Sequence, residues 1–148
     1  MNVPVKKRIY IMKQLFKYVS DIAEKNDIKI FLLYGTLLGQ QRNNKLICYD
    51  YDIDVGIFSP DFTLIKTALA RDIDKNIFSL NSIDMFLSKK IEIIHKETNL
   101  SLDIFSYQKT KSGSIQRNIN YLSHLYFNYV LNQCNKRNIP KNWILPLQ

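Results

Sequence analysis

Three aspartates at alternate positions, Asp50, Asp52 and Asp54, are the residues of this sequence with the clearest potential for chemistry. Side chains two residues apart on a β-strand project from the same face, so Asp52 and Asp54 are predicted to stand side by side. Two carboxylates this close in a half-buried site repel each other, and one of them normally takes up a proton. A divalent cation removes that conflict, because Mg²⁺ or Mn²⁺ accepts carboxylate oxygens and keeps positions open for phosphate oxygens.

A further carboxylate, Asp103, interrupts an apolar stretch, Leu-Asp-Ile-Phe at 102–105. A charged residue inside an apolar strand is costly unless it has a partner. The simplest partner is the same metal site, reached from a neighbouring strand. The alternative interpretation is that these aspartates are solvated residues at strand ends or pair with lysines.

The loop that begins with Gly35 and Thr36 follows a continuous apolar run and is predicted to enter a short helix. Glycine lets the backbone approach a ligand closely, and the free N–H groups at the start of a helix attract phosphate. Combined with a carboxylate pair on the next strand, this loop predicts a nucleotide-phosphate clamp. The loop would bind phosphate and the aspartates would bind a metal ion.

The elements that must position these residues alternate between helix and strand. Apolar residues at three- and four-residue spacing predict helices, and short β-branched or alternating runs predict strands. The predicted helices cover 9–26, a brief segment after Gly35, a segment after Ser59-Pro60, and 121–134. The predicted strands cover 28–34, 51–58, 83–87, 91–95 and 100–107, with a buried central strand at 28–34 and a hairpin turn at 96–99. This order predicts an α+β fold with a small mixed sheet.

Length and composition place the chain among ordinary globular proteins. With 148 residues, 46% of them hydrophobic, the sequence predicts one domain over 1–148. It contains no apolar run long enough for a signal-peptide core or a membrane span, so a cytoplasmic location is predicted.

The charge balance points to anionic partners. The 21 Lys and Arg exceed the 13 Asp and Glu and give a formal net charge of +8. Nucleic acid, nucleotide-activated substrates and anionic membrane surfaces all fit such a charge. The basic residues are scattered rather than concentrated in one stripe, so no nucleic-acid partner is expected, whereas peripheral membrane contact stays open.

The segment 34–57, YGTLLGQQRNNKLICYDYDIDVGI, resembles the LicD/fukutin family of phosphotransferases. The hallmark of that family is a GTLLG-x-x-R stretch followed by an aromatic-D-x-D-x-D-h-G strand, and the spacing matches without a gap across 24 residues. The segment 102–105 is similar to the family's third-carboxylate strand. The segment 143–147, WILPL, is similar to a Pro-Leu element found later in the family.

The resemblance implies a nucleotidyltransferase-like mixed β-sheet flanked by helices. It also implies transfer of a phospho-alcohol, such as phosphocholine or a polyol phosphate, from a CDP-activated donor to a glycan hydroxyl with Mg²⁺ or Mn²⁺. Asp52 and Asp54 would be metal ligands, and Asp103 the third ligand or the general base. Gly35 and Thr36 would line the donor phosphates. The substrate-binding positions taken from the resemblance are Gly35, Thr36, Gly39, Arg42 and Asp50.

The sequence departs from the family pattern in two places. It has KLICY at 45–49 where the family usually has Gly-Phe-Ile-Pro-Trp. Family members also continue past the Pro-Leu element, whereas this sequence ends at Gln148, so a shortened acceptor-binding region is expected. Two alternative functions stay open: a nucleotidyltransferase that adds a nucleoside monophosphate to a small molecule or protein, and a binding module without catalytic activity.

Overall fold

Three α-helices lie against one mixed β-sheet in the part of the chain that the computed structural model describes, residues 3–85, 88–109 and 115–117. The helices are α1 (Val5–Lys25), α2 (Tyr34–Asn43) and α3 (Phe62–Asp72), the last preceded by a 3₁₀ turn at Ser59–Asp61. The strands are β1 (Phe31–Leu32), β2 (Asp52–Phe58), β3 (Phe78–Met85), β4 (Ser88–His95), β5 (Ser101–Lys109) and β6 (Ile115–Arg117). The predicted α+β fold is therefore confirmed.

The sheet has the strand order β1-β2-β5-β4-β3, with β6 paired to the end of β5. Strands β2 and β5 run parallel, and every other pair is antiparallel. The parallel pair is joined by α3 and the β3–β4 hairpin, which return the chain to start β5 beside β2. This connection matters for function because it brings residues 52–58 and 101–107 into direct register.

One face of the sheet carries the hydrophobic core. Alternate residues of β2, β4 and β5 are fully buried there, and they belong to one cluster with the apolar stripe of α1 and with α3. The members with the largest fully buried side chains include Met12, Leu15, Ile53, Ile57, Ile65, Leu69, Ile91, Ile93, Leu102 and Ile104. Because strand side chains alternate between faces, the residues between these positions all point to the opposite face. The acidic residues lie on that opposite face.

The prediction of a buried central strand at 28–34 is wrong. The strand covers only Phe31–Leu32, and within the described part of the chain it lies at the edge of the sheet, paired with β2 alone. The apolar character of β1 does not come from a central position in the sheet. It reflects the fact that side chains cover both faces of this strand. Leu32 packs against the core, while the Phe31 ring packs on Phe58 and Tyr107 at centroid distances of 5.4 and 5.6 Å.

The Phe31 ring lies directly over Gly56 of β2, where a Cβ atom would overlap ring atoms. Replacing Gly56 with Ala is therefore expected to lower the free energy of unfolding by about 1–3 kcal/mol, the usual cost of forcing extra volume into a packed site. Urea unfolding followed by circular dichroism measures this change, with the exposed strand substitution Ser82→Ala as the control. An unchanged urea midpoint for Gly56→Ala would contradict the packing argument.

Most other predicted elements are confirmed with shifted ends. Helix α1 begins four residues earlier than predicted, and β3 begins at Phe78 rather than 83 because its first half carries polar residues that hide the strand pattern. The hairpin turn at 96–99 is confirmed, and His95 donates a backbone hydrogen bond to Leu100 across it at 2.8 Å. The predicted helix at 121–134 and the segment 143–147 lie outside the described residues.

No helix among the described residues has both the length and the apolar character needed to span a bilayer.

Candidate active site

The register of the two parallel strands places Asp54 of β2 directly beside Asp103 of β5. Asp52 stands two residues before Asp54 on the same face of the same strand. One carboxylate oxygen from each residue lies within 4.8 Å of the others, and we call Asp52, Asp54 and Asp103 the acidic triad. The sequence prediction that Asp103 reaches the same place from a neighbouring strand is thus confirmed.

Asp103 is the most deeply placed member of the acidic triad, with 6% of its surface exposed. The Lys90 ammonium donates a hydrogen bond to its Oδ2 at 2.5 Å, while its Oδ1 is buried and has no hydrogen-bond partner among the described residues. The alternative interpretation, that an aspartate pairs with a lysine, therefore holds for one oxygen of Asp103. The other oxygen is a buried acceptor for which the described part of the chain supplies no donor, and a buried acceptor left without a donor costs free energy.

The electrostatics of the triad favour the arrival of a cation. Burial raises the pKa of Asp54 to about 7, with help from the negative charges of Asp52, Asp103 and Asp50, while Lys90 acts in the opposite direction. Burial also raises the pKa of Asp103 above its usual range, against the effect of Lys90. A carboxyl group that holds its proton near neutral pH is one whose charge lacks compensation. A bound divalent ion would supply that compensation.

The donor set of the triad fits Mg²⁺ or Mn²⁺. All three side chains offer hard carboxylate oxygens, which these ions prefer, and the set contains no thiolate or imidazole. The buried Oδ1 of Asp103, which has no partner within the described ranges, is the kind of atom that a bound ion would satisfy. Asp52, Asp54 and Asp103 are the residues that would hold the ion.

The Gly35-Thr36 turn holds the backbone of Asp54 in place. The Thr36 hydroxyl accepts a hydrogen bond from the Asp54 N–H at 2.9 Å, and the Leu33 N–H donates to the Asp54 carbonyl at 3.0 Å. Thr36 is 6% exposed, so its side chain faces β2 rather than solvent. The family resemblance predicts that Thr36 lines the donor phosphates. In the structure its hydroxyl instead contacts the Asp54 N–H, so it positions Asp54.

Replacing Thr36 with Val is expected to lower the free energy of unfolding by about 1–3 kcal/mol, because the shape is kept while the Asp54 N–H loses its acceptor. Thermal unfolding measures the loss, with the exposed helix substitution Thr67→Val as the matched control. We also expect weaker binding of Mn²⁺, since the strand that carries Asp54 loses an anchor. Equal stability of the Thr36→Val and Thr67→Val proteins would contradict this role.

The chain makes an unusual turn where β1 passes into α2. Tyr34 has a φ angle of 43°, in the left-handed region that bulky residues rarely adopt. This turn lets the helix begin immediately after the strand, and the first helical N–H groups belong to Tyr34, Gly35 and Thr36. A Cβ atom on Gly35 would lie 2.6 Å from Oδ2 of Asp50, so the Asp50 carboxylate lies against the start of α2. Burial and the neighbouring charge of Asp52 raise the pKa of Asp50 above its usual range, so its negative charge is disfavoured at this place.

The remaining predicted substrate-binding residues lie along the other end of α2. A Cβ atom on Gly39 would lie 2.5 Å from the carbonyl oxygen of Lys45, so this glycine lets the 45–47 loop pack against the helix. Arg42 is exposed in the last turn of α2 and, with Gly39 and Tyr49, lines an open cavity beside that loop. Neither residue belongs to the acidic triad.

A sequence model of the LicD/FKTN/FKRP nucleotidyltransferase domain matches residues 27–148 of this chain. The chain belongs to the LicD family. The matched range includes the whole acidic triad and the Gly35-Thr36 turn.

Relatives of this LicD-family chain include two uncharacterized rickettsial proteins. The chain is 29% identical to one from Rickettsia prowazekii over 129 residues, which is 84% of this chain and 45% of that protein. It is 38% identical to one from Rickettsia typhi over 55 residues, which is 37% of this chain and 18% of that protein. The chain thus spans less than half the length of the curated relatives that it matches.

Among solved structures, a candidate nucleotidyltransferase from Thermotoga maritima resembles this LicD-family chain with a TM-score of 0.46 and 12% sequence identity. The match covers 89% of this chain and 91% of that chain.

Two residues that contact the site were not predicted from the sequence. Lys90 lies on the same face of β4 as Glu92, which pairs with Asp103 across the strands. The signal was present, because polar Lys90 and Glu92 alternate with apolar residues, and counting back from the hairpin turn at 96–99 places Glu92 opposite Asp103.

The second is Arg8 of α1, which precedes the range that the family model matches. Arg8 is only 5% exposed, and its guanidinium donates a hydrogen bond to the Asp50 carbonyl at 3.4 Å. The same guanidinium lies 4.0 Å from the centre of the Tyr51 ring. Arg8 therefore supports the backbone just before the acidic triad, and the sequence signal for this was a charged residue one turn before Met12 on the buried stripe of the helix.

Proposed function

We propose that this LicD-family protein transfers a phospho-alcohol, such as phosphocholine or a polyol phosphate, from a CDP-activated donor to a glycan hydroxyl with a divalent metal ion. The observation that carries the proposal is the acidic triad, in which one carboxylate oxygen from each residue lies within 4.8 Å of the others. One member, Asp103, has a buried oxygen with no hydrogen-bond partner in the part of the chain that the structure describes. Membership of the LicD family supports the transferase class.

The acidic triad and the start of α2 have different parts in this reaction. Asp52, Asp54 and Asp103 would hold Mg²⁺ or Mn²⁺, which neutralises negative charge that develops on the donor phosphates. The start of α2 at Gly35 would offer backbone N–H groups to a phosphate once the Asp50 carboxylate, which lies against it, moves aside. Thr36 fixes the backbone of Asp54 and thereby the position of its carboxylate.

The bonds that change are few. The oxygen of the acceptor hydroxyl forms a bond to the phosphorus of the phospho-alcohol, and the bond from that phosphorus to the bridging oxygen of the donor breaks. CMP leaves with that oxygen and its bonding electrons. The hydroxyl proton passes to a carboxylate, which we assign to Asp103 because coordination of the metal ion would hold this residue close to the hydroxyl.

Isothermal titration calorimetry tests the proposal at its first step. We expect the protein to bind CDP-choline only when Mg²⁺ or Mn²⁺ is present, and to bind it more tightly than ATP. A folded protein that binds no nucleotide in the presence of either metal would contradict the proposal.

A second candidate function is nucleotidyl transfer, in which a nucleoside monophosphate moves to a small molecule or protein. The match to a nucleotidyltransferase domain favours it, and the same acidic triad would serve it. Mass spectrometry of the products separates the two reactions, because phospho-alcohol transfer releases CMP whereas nucleotidyl transfer from a nucleoside triphosphate releases pyrophosphate. We expect CMP. We propose a cytoplasmic location for this protein, and we propose no nucleic-acid partner for it.

A further inference from the structure

Lys90 is the residue whose positive charge acts directly on the acidic triad in the described part of the chain. Its ammonium lies 2.5 Å from Oδ2 of Asp103 and 3.4 Å from Oε1 of Glu92, and its side chain is 15% exposed. Burial opposes the charge on Lys90, but the hydrogen bond and charge of Asp103 outweigh that effect and raise the pKa of Lys90. A charged lysine therefore sits beside the place where a metal ion would bind.

The charges around this lysine do not balance. The carboxylates that act on one another here are those of Asp50, Asp52, Asp54, Glu92 and Asp103. A single divalent ion together with Lys90 leaves this group negative, and the diphosphate of a nucleotide donor adds more negative charge. Catalysis of phosphoryl transfer depends on positive groups around the phosphate oxygens. A cation already at the site would meet that need.

We propose that Lys90 changes its partner when the site is occupied. Its ammonium pairs with Asp103 in the metal-free protein and contacts a phosphate oxygen of the nucleotide donor once a divalent ion is bound by the triad. The proposal rests on the function proposed above. Lysine suits this change of partner because its ammonium is a compact charge with three donors on a flexible stem. Lys90 would then be a donor-binding residue that the LicD motif does not include.

Binding measurements on Lys90→Gln test the proposal, with Mn²⁺ alone and then with Mn²⁺ and CDP as the probes. We expect Mn²⁺ to bind this variant as tightly as the wild type or more tightly, because a competing positive charge is removed. We expect the affinity for CDP in the presence of Mn²⁺ to fall about tenfold or more, since a charge-assisted hydrogen bond to phosphate is lost. Lys90→Arg, which keeps the charge, should recover part of that loss.

Lys89→Gln is the matched control, because Lys89 is the exposed neighbour on the same strand. It should leave both affinities unchanged. Weaker binding of Mn²⁺ by Lys90→Gln would overturn the proposal and make Lys90 a support for Asp103. Unchanged CDP affinity in Lys90→Gln would also overturn it.

A measurement on the wild-type protein avoids reliance on a variant that loses its fold. Acylation of lysines by acetic anhydride, located by mass spectrometry, reports how accessible each amine is. We expect labelling of Lys90 to rise when Mn²⁺ is added and to fall again when CDP follows. Labelling of Lys90 that stays constant through both additions would overturn the proposed change of partner.

The two proposals fail in different ways. A wild-type protein that binds Mn²⁺ but not CDP would reject the CDP donor of the proposed function. Titration with inorganic pyrophosphate in the presence of Mn²⁺ would then decide the role of Lys90. Weaker pyrophosphate binding by Lys90→Gln would support the phosphate contact, and equal binding would overturn it.

Discussion

Replacing Asp54 with Asn is expected to reduce metal-dependent CDP binding and transfer by more than about 100-fold while leaving the fold intact. The loss of a residue that merely supports a metal ligand already costs 10–100-fold, so the loss of a ligand should cost more. Asp52→Asn should act in the same direction, because both side chains belong to the acidic triad. Calorimetric titration with Mn²⁺ and then CDP measures the effect.

The same substitution should stabilise the metal-free protein above neutral pH. Asp54 has its pKa raised to about 7 from 3.8, so its ionised form disfavours the folded state. After allowance for solvent screening at this half-buried position, removal of the charge should raise the free energy of unfolding at pH 8 by about 2 kcal/mol. Asp61→Asn, at a partly exposed position three residues after the end of the same strand, is the control. A large loss of stability in Asp54→Asn would mean that the aspartate has a structural role.

The geometry of the acidic triad could be predicted from the sequence because it depends on two local patterns. Alternation fixes the face of β2, since buried Ile53, Val55 and Ile57 leave the aspartates on the other side. In the same way, burial of Leu102 and Ile104 fixes the face of Asp103. What the residues alone did not specify is the register, which is set by how α3 and the β3–β4 hairpin return the chain to β5.

The residues that could not be predicted act across long separations in sequence. Arg8 approaches Asp50 from a helix more than forty residues earlier, and its place on the buried stripe of that helix does not indicate which residue it contacts. Lys90 is different, because the polar pattern of β4 and the hairpin turn predicted at 96–99 together place it close to Asp103. The edge position of β1 was not predicted for a related reason. An apolar run shows that a strand is covered, but it does not show which elements cover it. Here Phe31 is covered by side chains of β2 and β5 rather than by further strands.

The pH dependence of the stability of the metal-free protein follows from the same charges. In the metal-free protein the pKa of Asp54 is about 7 against an ordinary value of 3.8, so folding takes up a proton between these values. The free energy of unfolding is therefore expected to decrease as pH rises from about 4 to about 7, and this part of the stability is lost above pH 7. Burial raises the pKa of Asp103 as well, which acts in the same direction.

A divalent ion should reverse this loss at pH 8. Mn²⁺ at one hundred times its dissociation constant stabilises the folded state by about 2.7 kcal/mol, which corresponds to a rise of roughly 5–10 °C in Tm for a chain of this size. At pH 4.5 the proton on Asp54 competes with the ion, so the rise should be much smaller. Differential scanning fluorimetry with Mn²⁺ or with a chelator, at both pH values, measures the two shifts.

Asp54→Asn separates the site from general effects of the metal. Because this variant lacks a ligand and the titrating carboxyl group, it should show little rise in Tm with Mn²⁺ at either pH and a flatter dependence of stability on pH. A rise in Tm of equal size at pH 4.5 and pH 8 in the wild type would mean that Mn²⁺ binds elsewhere. An equal rise in the wild type and in Asp54→Asn would remove the triad as the metal site, because the charge that makes three crowded carboxylates unstable is the same charge that should attract the ion.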